Sequence, residues 1–152
     1  MNLSTRTDIE KPIADVYAAL TNFDMWETAA LRRGVDVARI DSQRKVATGA
    51  QWDVKFMHRG KSREARITVG SMDPDGQISM NVDGKVMDAE AKVELVALAP
   101  RRTRIVLHLE VKPRTLGARL FLQSVRLAKQ KVQTRLNDRF ANFAREIDQR
   151  IA

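Results

Sequence analysis

The chain of 152 residues contains no cysteine, only two histidines and only 5% aromatic residues. Without cysteine it can form neither a disulfide nor a thiolate metal site, and it has no thiol nucleophile. The two histidines, His58 and His108, fall on opposite phases of their predicted strands, and the acidic residues are scattered. We therefore expect no metal site and no cofactor.

Long apolar runs and nucleotide motifs are missing as well. No uninterrupted apolar run approaches the roughly 20 residues that a bilayer-spanning helix needs. Residues 1–9 are polar and alternating, without the apolar stretch of a secretory signal. The chain has no G-x-S-x-G, no phosphate-binding loop and no dinucleotide fingerprint. These absences favour one cytoplasmic domain over residues 1–152.

The positive charge is concentrated near the C-terminus. Residues 1–111 contain 17 basic and 16 acidic residues, which gives a charge of +1. Residues 112–152 contain 10 basic and 3 acidic residues, which gives +7 and makes the net charge +8. A basic segment of this kind is typical either of a solvated helix face or of a surface that meets phosphates or anionic lipid.

The last quarter of the chain, residues 115–152, contains no proline, and Gly117 is its only glycine. Apolar residues recur there in steps of three or four, which predicts one long helix with an apolar stripe. Thr115 is the expected N-cap. Such a helix needs a broad apolar surface to pack against. The stripe comprises Phe121, Val125, Ala128, Val132, Leu136, Phe140, Phe143 and Ile147.

Apolar and polar residues alternate in the first nine residues and again between residues 35 and 111. This period of two predicts antiparallel strands, separated by turns at Gly60, at residues 73–76 and at Gly84. Two short helices are predicted between the first strand and the rest, from Pro12 to Gly34. The expected inward phase of the sheet comprises Trp52, Val54, Phe56, Ile67, Val69, Ile78, Met80, Val82, Leu95, Ile105, Leu107 and Leu109.

The element order predicts an α+β fold: a curved antiparallel sheet of six to seven strands that grips a long C-terminal helix. This order resembles the START-like superfamily, also called SRPBCC or helix-grip, and its polyketide cyclase/dehydrase-like branch. The resemblance rests on the opening strand into Ile9-Glu10-Lys11-Pro12-Ile13-Ala14-Asp15-Val16-Tyr17, on Asn22-Phe23-Asp24-Met25-Trp26, on Val111-Lys112-Pro113 and on the terminal helix.

The resemblance implies a cavity between sheet and helix that holds an apolar small molecule such as a lipid, an aromatic compound or a polyketide. The superfamily has no invariant catalytic set, so it assigns no catalytic residue here. The inward phase independently favours an apolar pocket. The candidate ligand-binding residues are Trp26, Trp52, Phe56, His58, Met80, Leu107, Phe121 and Val125.

His58 is the one titratable group predicted on the inward phase. It is therefore the single candidate for a general acid or base, although a histidine at a strand end is also typical of a solvated position. We assign no catalytic residue, and an inward set with almost no titratable group favours binding over catalysis.

The predicted long helix carries Leu116, Leu120 and Leu127 opposite its stripe. We expect these leucines to pack on the two short helices. A dimer seam and transient membrane contact are the alternatives. Nucleic acid is not an expected partner, because the aromatic residues that stack on single strands are lacking.

Three functions follow from these patterns. The first is binding or transfer of an apolar small molecule. The second is a cyclase or dehydratase reaction in the same cavity, with His58 as acid or base. The third is an interaction of the basic helix with a ribosome, RNA or an anionic membrane.

Overall fold

The computed structural model describes residues 1–43 and 45–151, which contain seven strands and four helices. The strands are β1 (Asn2–Ile9), β2 (Asp36–Arg39), β3 (Gln51–His58), β4 (Lys61–Asp73), β5 (Gln77–Gly84), β6 (Met87–Ala99) and β7 (Arg102–Pro113). The helices are α1 (Ile13–Leu20), α2 (Phe23–Arg32), α3 (Leu116–Leu127) and α4 (Lys129–Arg150). No helix of the described residues is long and apolar enough to cross a membrane.

The strands form one antiparallel sheet in the order β1-β7-β6-β5-β4-β3-β2. Strands β2 to β7 follow one another as a meander, and β1 adds to β7, where Thr5 pairs with Leu107. The register shifts between Val69 and Ser71 and again between Ala97 and Ala99. Because bulges of this kind bend a strand and increase its twist, they curve the sheet. The predicted curved antiparallel sheet is confirmed.

Helices α1 and α2 carry the chain from one edge of the sheet to the other. Pro12 directly precedes α1, a position where its missing N–H costs nothing. The Asn22 side chain accepts a hydrogen bond of 3.3 Å from the Met25 N–H and so caps α2. Gly34, with a φ of 79°, follows α2 in the left-handed region that glycine adopts readily. The two predicted short helices are thus confirmed.

The predicted long C-terminal helix is confirmed as α4, but the part of it predicted before Ala128 forms a separate helix, α3. The backbone at Ala128 leaves the helical region, with φ −104° and ψ 30°, and separates α3 from α4. The break lets α3 lie beside β7 while α4 packs along β1 and α1. The Thr115 hydroxyl accepts a hydrogen bond of 3.1 Å from the Ala118 N–H, which confirms the predicted N-cap. Ala152, the last residue of the predicted helix, lies outside the described residues.

The predicted apolar stripe lies on the wrong side of α3. Ala118 and Leu122 are its buried residues, whereas Phe121 of the predicted stripe is 46% exposed. The predicted packing of Leu116, Leu120 and Leu127 on the short helices is also wrong, because all three are exposed. The packing of α3 against β7 sets which of its sides is covered.

The core lies between α1, α4 and the strands that face them. Val16, Ile105 and Ile147 are fully buried at its centre. Hydrogen bonds tie α4 to β1: the Thr5 hydroxyl donates to Asn137 Oδ1 at 2.7 Å, and Gln133 Nε2 donates to the Ser4 carbonyl at 2.8 Å. This end of the molecule is therefore filled by side chains, and the space that remains lies beneath α2.

Candidate functional site

A cavity of about 320 Å³ lies between α2, the inner face of the sheet and α4. Fifteen of the described residues line it, and all of these except Glu27 are apolar. They are Leu20, Phe23, Trp26, Glu27, Ala30, Val35, Val37, Trp52, Val54, Ile67, Ile78, Met80, Ala91, Val93 and Phe143.

Helical and strand periodicity together direct these side chains inward. On α2 the lining residues Phe23, Trp26, Glu27 and Ala30 follow the spacing i, i+3, i+4, i+7, which places them on one helix face. On the sheet the lining residues are cross-strand partners, as Trp52 is of Ile67. Directly paired residues share a face of the sheet, so they face the cavity together.

Aromatic rings form much of the cavity wall. The rings of Phe23 and Trp52 meet edge to face with centroids 5.0 Å apart, and those of Trp26 and Phe143 stack at 5.0 Å with an interplanar angle of 22°. The Arg39 guanidinium lies 5.0 Å from the Trp52 ring centroid. These contacts fix the orientation of the rings before any ligand arrives.

The polar groups at the cavity are few and partly satisfied within the protein. The Trp52 Nε1 donates to Glu27 Oε1 at 2.7 Å, and the Trp26 Nε1 donates to the Leu20 carbonyl at 3.0 Å. Both indole donors are therefore occupied. Among the described residues, the second carboxylate oxygen of Glu27 has no hydrogen-bond partner. Glu27 is thus the one polar side chain that the described lining offers to a ligand.

Three of the eight predicted site residues line this cavity: Trp26, Trp52 and Met80. Leu107 packs instead against the filled core. Phe121 and Val125 lie on α3 and take no part in the cavity wall.

Phe56 and His58 share the phase of Trp52, but both are exposed. Strand β5 begins to pair with β4 only at Ala65, so the hairpin that carries Phe56 and His58 projects beyond the neighbouring strand. Among the described residues, the cavity lining therefore includes no histidine, and the enzyme hypothesis loses its predicted acid or base.

Sequence reasoning missed Glu27. The signal was present, because the residue occupies the i+4 position of the apolar face that begins at Phe23. A carboxylate on the apolar face of a short helix indicates a partner inside the protein. The Trp52 indole is that partner.

Tyr17 and Asp8, both away from the cavity wall, are among the groups with displaced pKa values. Burial raises the pKa of Tyr17, and the negative charges of Asp73 and Asp75 raise it further. The Tyr17 hydroxyl is buried without a hydrogen-bond partner among the described residues. The hydrogen bond from Arg104 lowers the pKa of Asp8 against the opposing effect of burial, and the charges of Arg104 and Arg102 lower it further.

The opposite face of the sheet is charged and carries a depression of about 510 Å³. Its residues neutralise one another, as in the 2.9 Å ion pair between Arg66 Nε and Asp53 Oδ1. Within residues 1–43 and 45–151, no group of three histidine, aspartate or glutamate side chains is placed to hold a metal ion. The apolar cavity is therefore the better candidate for a binding site.

No protein-family model matches the sequence, and no curated protein is similar to it. Solved structures are similar over most of the chain. The Zhui aromatase/cyclase from Streptomyces sp. R1128 has a TM-score of 0.68 at 14% identity, covering 100% of this chain and 96% of its own. Norcoclaurine synthase from Thalictrum flavum, in complex with dopamine and hydroxybenzaldehyde, has a TM-score of 0.68 at 11% identity, covering 98% and 84%.

Ara h 8.0201 is also similar, with a TM-score of 0.61 at 13% identity, covering 88% of this chain and 93% of its own. All three comparisons concern the fold. The chain has the helix-grip fold that its element order predicted.

Proposed function

We propose that the protein binds an apolar, ring-containing small molecule in the cavity beneath α2 and carries it without covalent chemistry. The observation that supports this function is a cavity of about 320 Å³ whose lining is apolar at fourteen of fifteen positions. Protein interiors are close-packed, and cavities with apolar walls do not hold ordered water well. A cavity of this size and composition is typical of small-molecule sites.

The aromatic wall favours a planar occupant. Phe23, Trp26, Trp52 and Phe143 present ring faces and edges to the same space. Aromatic pairs prefer offset stacks and edge-to-face contacts, and both arrangements already occur in this wall. A ring system in the cavity can make the same two kinds of contact with this wall.

Glu27 favours a ligand whose polar end is a hydrogen-bond donor. Its free oxygen can accept a hydrogen bond from a hydroxyl or an amine, whereas a ligand carboxylate would place like charges together in an apolar site. The proposed ligand is thus an aromatic molecule with one hydrogen-bond donor, in preference to a fatty acid.

Two structural neighbours support this class. The Thalictrum flavum structure contains dopamine and hydroxybenzaldehyde, and the Streptomyces protein is an aromatase/cyclase. A reaction in the present cavity is the second candidate function, with Glu27 as the acid or base. Binding is favoured over reaction, because general acid–base chemistry on a ring needs further groups to position it and the described lining offers one polar side chain.

The test is a titration with N-phenyl-1-naphthylamine, a neutral aromatic probe with one N–H donor. We expect saturable binding that Ala91→Phe weakens at least about tenfold, because the added ring fills the cavity. The matched control is Ala38→Phe, which puts the same ring on an exposed position of β2 and should leave binding unchanged.

Native mass spectrometry of protein purified from cells, followed by organic extraction, would identify the natural occupant. Equal binding by Ala91→Phe and the unmodified protein, or no binding at all, would contradict the proposal. A recovered small molecule that the protein converts to a different mass would instead favour the enzyme.

A further inference from the structure

Helix α3 carries a row of exposed leucines on the side that faces away from the protein. Leu116 is 71% exposed, Leu120 is 55% exposed and Leu127 is 92% exposed. At about 100° per residue, the three positions fall within about 40° of one another around the helix. We call Leu116, Leu120 and Leu127 the leucine row.

The leucine row is held on an anchored helix. Ala118 and Leu122 are buried on the other side of α3, and Thr115 caps its first turn. The preceding residue, Arg114, donates its backbone N–H to the Val86 carbonyl at 2.8 Å and its Nη1 to the Gly84 carbonyl at 3.0 Å. The packing that fixes α3 thus leaves three large apolar side chains in water, as is typical of interaction surfaces.

Positive charge surrounds the leucine row. Arg119 and Arg126 lie within the same helix, Lys129 and Lys131 follow its end, and all four are exposed. The sequence has no acidic residue from Lys112 to Asn137. A partner of this surface must therefore offer both an apolar layer and negative charge.

Two kinds of partner fail one of these requirements. A second copy of the chain in a symmetric dimer would bring the same surface against itself, so Arg119 and Arg126 would face like charges. A nucleic acid would neutralise the arginines, but its phosphates would leave the leucines in water.

We propose that the outer face of α3 docks on an anionic lipid bilayer. Leucines at the boundary between headgroups and acyl chains leave water, and neighbouring arginines and lysines meet anionic headgroups. This proposal rests on α3 and the basic residues that follow it, and it does not require a ligand in the cavity.

The test is cosedimentation of the full chain with vesicles of phosphatidylcholine alone or with about 30% phosphatidylserine. We expect binding to the anionic vesicles that weakens as salt is raised. The double variant Leu120→Ser and Leu127→Ser should reduce partitioning about tenfold or more. Its control is Leu31→Ser, because Leu31 on α2 is also 55% exposed but lies outside the leucine row.

The charge variant is Arg119→Gln with Arg126→Gln, and we expect a loss of about tenfold, since each basic residue near an anionic surface contributes severalfold. Its control is Arg6→Gln with Arg101→Gln, two exposed arginines outside α3. Losses in both test variants and in neither control would support the proposal.

Several outcomes would overturn the proposal. One is the absence of binding to anionic vesicles at low salt. Another is unchanged binding by the leucine variant, because this would indicate a purely electrostatic contact. A dimer that light scattering detects and the leucine variant dissociates, without vesicle binding, would assign the surface to a second copy. RNA binding that does not depend on the leucines, again without vesicle binding, would assign it to nucleic acid.

Discussion

The indole nitrogen of Trp52 lies 2.7 Å from the carboxylate oxygen Oε1 of Glu27. The hydrogen bond joins β3 to α2 at the cavity wall, and it satisfies a donor of a tryptophan that is only 6% exposed. This pair of residues thus holds α2 against the sheet. It also supplies the polar side chain of the described cavity lining. Its disruption should affect both stability and ligand preference.

Trp52→Phe is expected to lower the free energy of unfolding by about 1–3 kcal/mol, because it removes the hydrogen bond to the charged Glu27 carboxylate. The smaller ring also loses packing contacts. Urea denaturation measures the change in the free energy of unfolding. Glu27→Gln is the control, because an amide oxygen still accepts from the indole and the loss should stay below about 1 kcal/mol. A double-mutant cycle with Glu27→Leu should show coupling between the two positions. Additive losses would contradict the interaction.

Tyr17 is the only tyrosine in the chain, so absorbance of tyrosinate reports this residue alone. Because burial and then Asp73 and Asp75 raise its pKa above the ordinary value of 10.0, the folded protein should titrate at higher pH than the unfolded chain. The folded state then holds its proton longer, so stability falls as pH rises above about 10. Titration at the ordinary value in the folded protein would contradict this assignment.

Tyr17→Phe tests the unpartnered hydroxyl directly. It deletes a buried polar group that has no hydrogen-bond partner among the described residues. We therefore expect the free energy of unfolding at neutral pH to stay unchanged or rise by up to about 1 kcal/mol. The variant should also lose the fall in stability above about pH 10. A loss of more than about 1 kcal/mol would indicate that the hydroxyl has a partner after all.

Asp8 should contribute to acid sensitivity. Arg104 Nε lies 2.9 Å from one of its oxygens and Arg102 Nη2 lies 3.1 Å from the other. Because these partners lower the pKa of Asp8 below its ordinary value of 3.8, the stabilisation is present above that pH and is lost as pH falls through the lower folded value.

Asp8→Asn should accordingly flatten the dependence of unfolding free energy on pH below about 4. The control is Asp138→Asn, since Asp138 is exposed on α4 and should leave the profile unchanged. The same slope in Asp8→Asn as in the unmodified protein would exclude Asp8 as the source.

Ile147 anchors α4 in the core and is fully buried. Ile147→Ala should cost about 2–5 kcal/mol of unfolding free energy, because the lost transfer energy adds to the cavity left behind. Ile40→Ala removes the same atoms from a side chain that is 39% exposed and should cost far less. Deletion of residues 133–152 should abolish cooperative unfolding. Near-equal losses in the two isoleucine variants would show that α4 is not an essential part of the core.

The alternation of the sequence predicted which face of each strand is covered but not how far along the strand the cover extends. Trp52 and Phe56 have the same phase on β3, yet Trp52 is 6% exposed and Phe56 is 37% exposed. The period of two predicts on which face of the sheet a side chain lies. Whether that side chain is buried depends on how far the neighbouring strand extends. For this reason Phe56 and His58 were predicted at the site but lie beyond it.

The stripe of the C-terminal helix was predicted well only after its break. Phe140 and Ile147 on α4 are buried as expected, whereas on α3 Leu122 is buried and the adjacent Phe121 is exposed. One residue corresponds to about 100° around a helix, so a small change of phase moves a side chain from core to surface. No proline or glycine marks the break at Ala128, so the sequence gives no local signal for it.

The chain has two tryptophans, and both Trp26 and Trp52 border the cavity. Intrinsic fluorescence of the unmodified protein is therefore a signal from the cavity wall, without a label or a second reporter elsewhere. An aromatic occupant in contact with either indole should change the intensity of this emission. Intrinsic tryptophan fluorescence can therefore report whether a ligand occupies the cavity beneath α2.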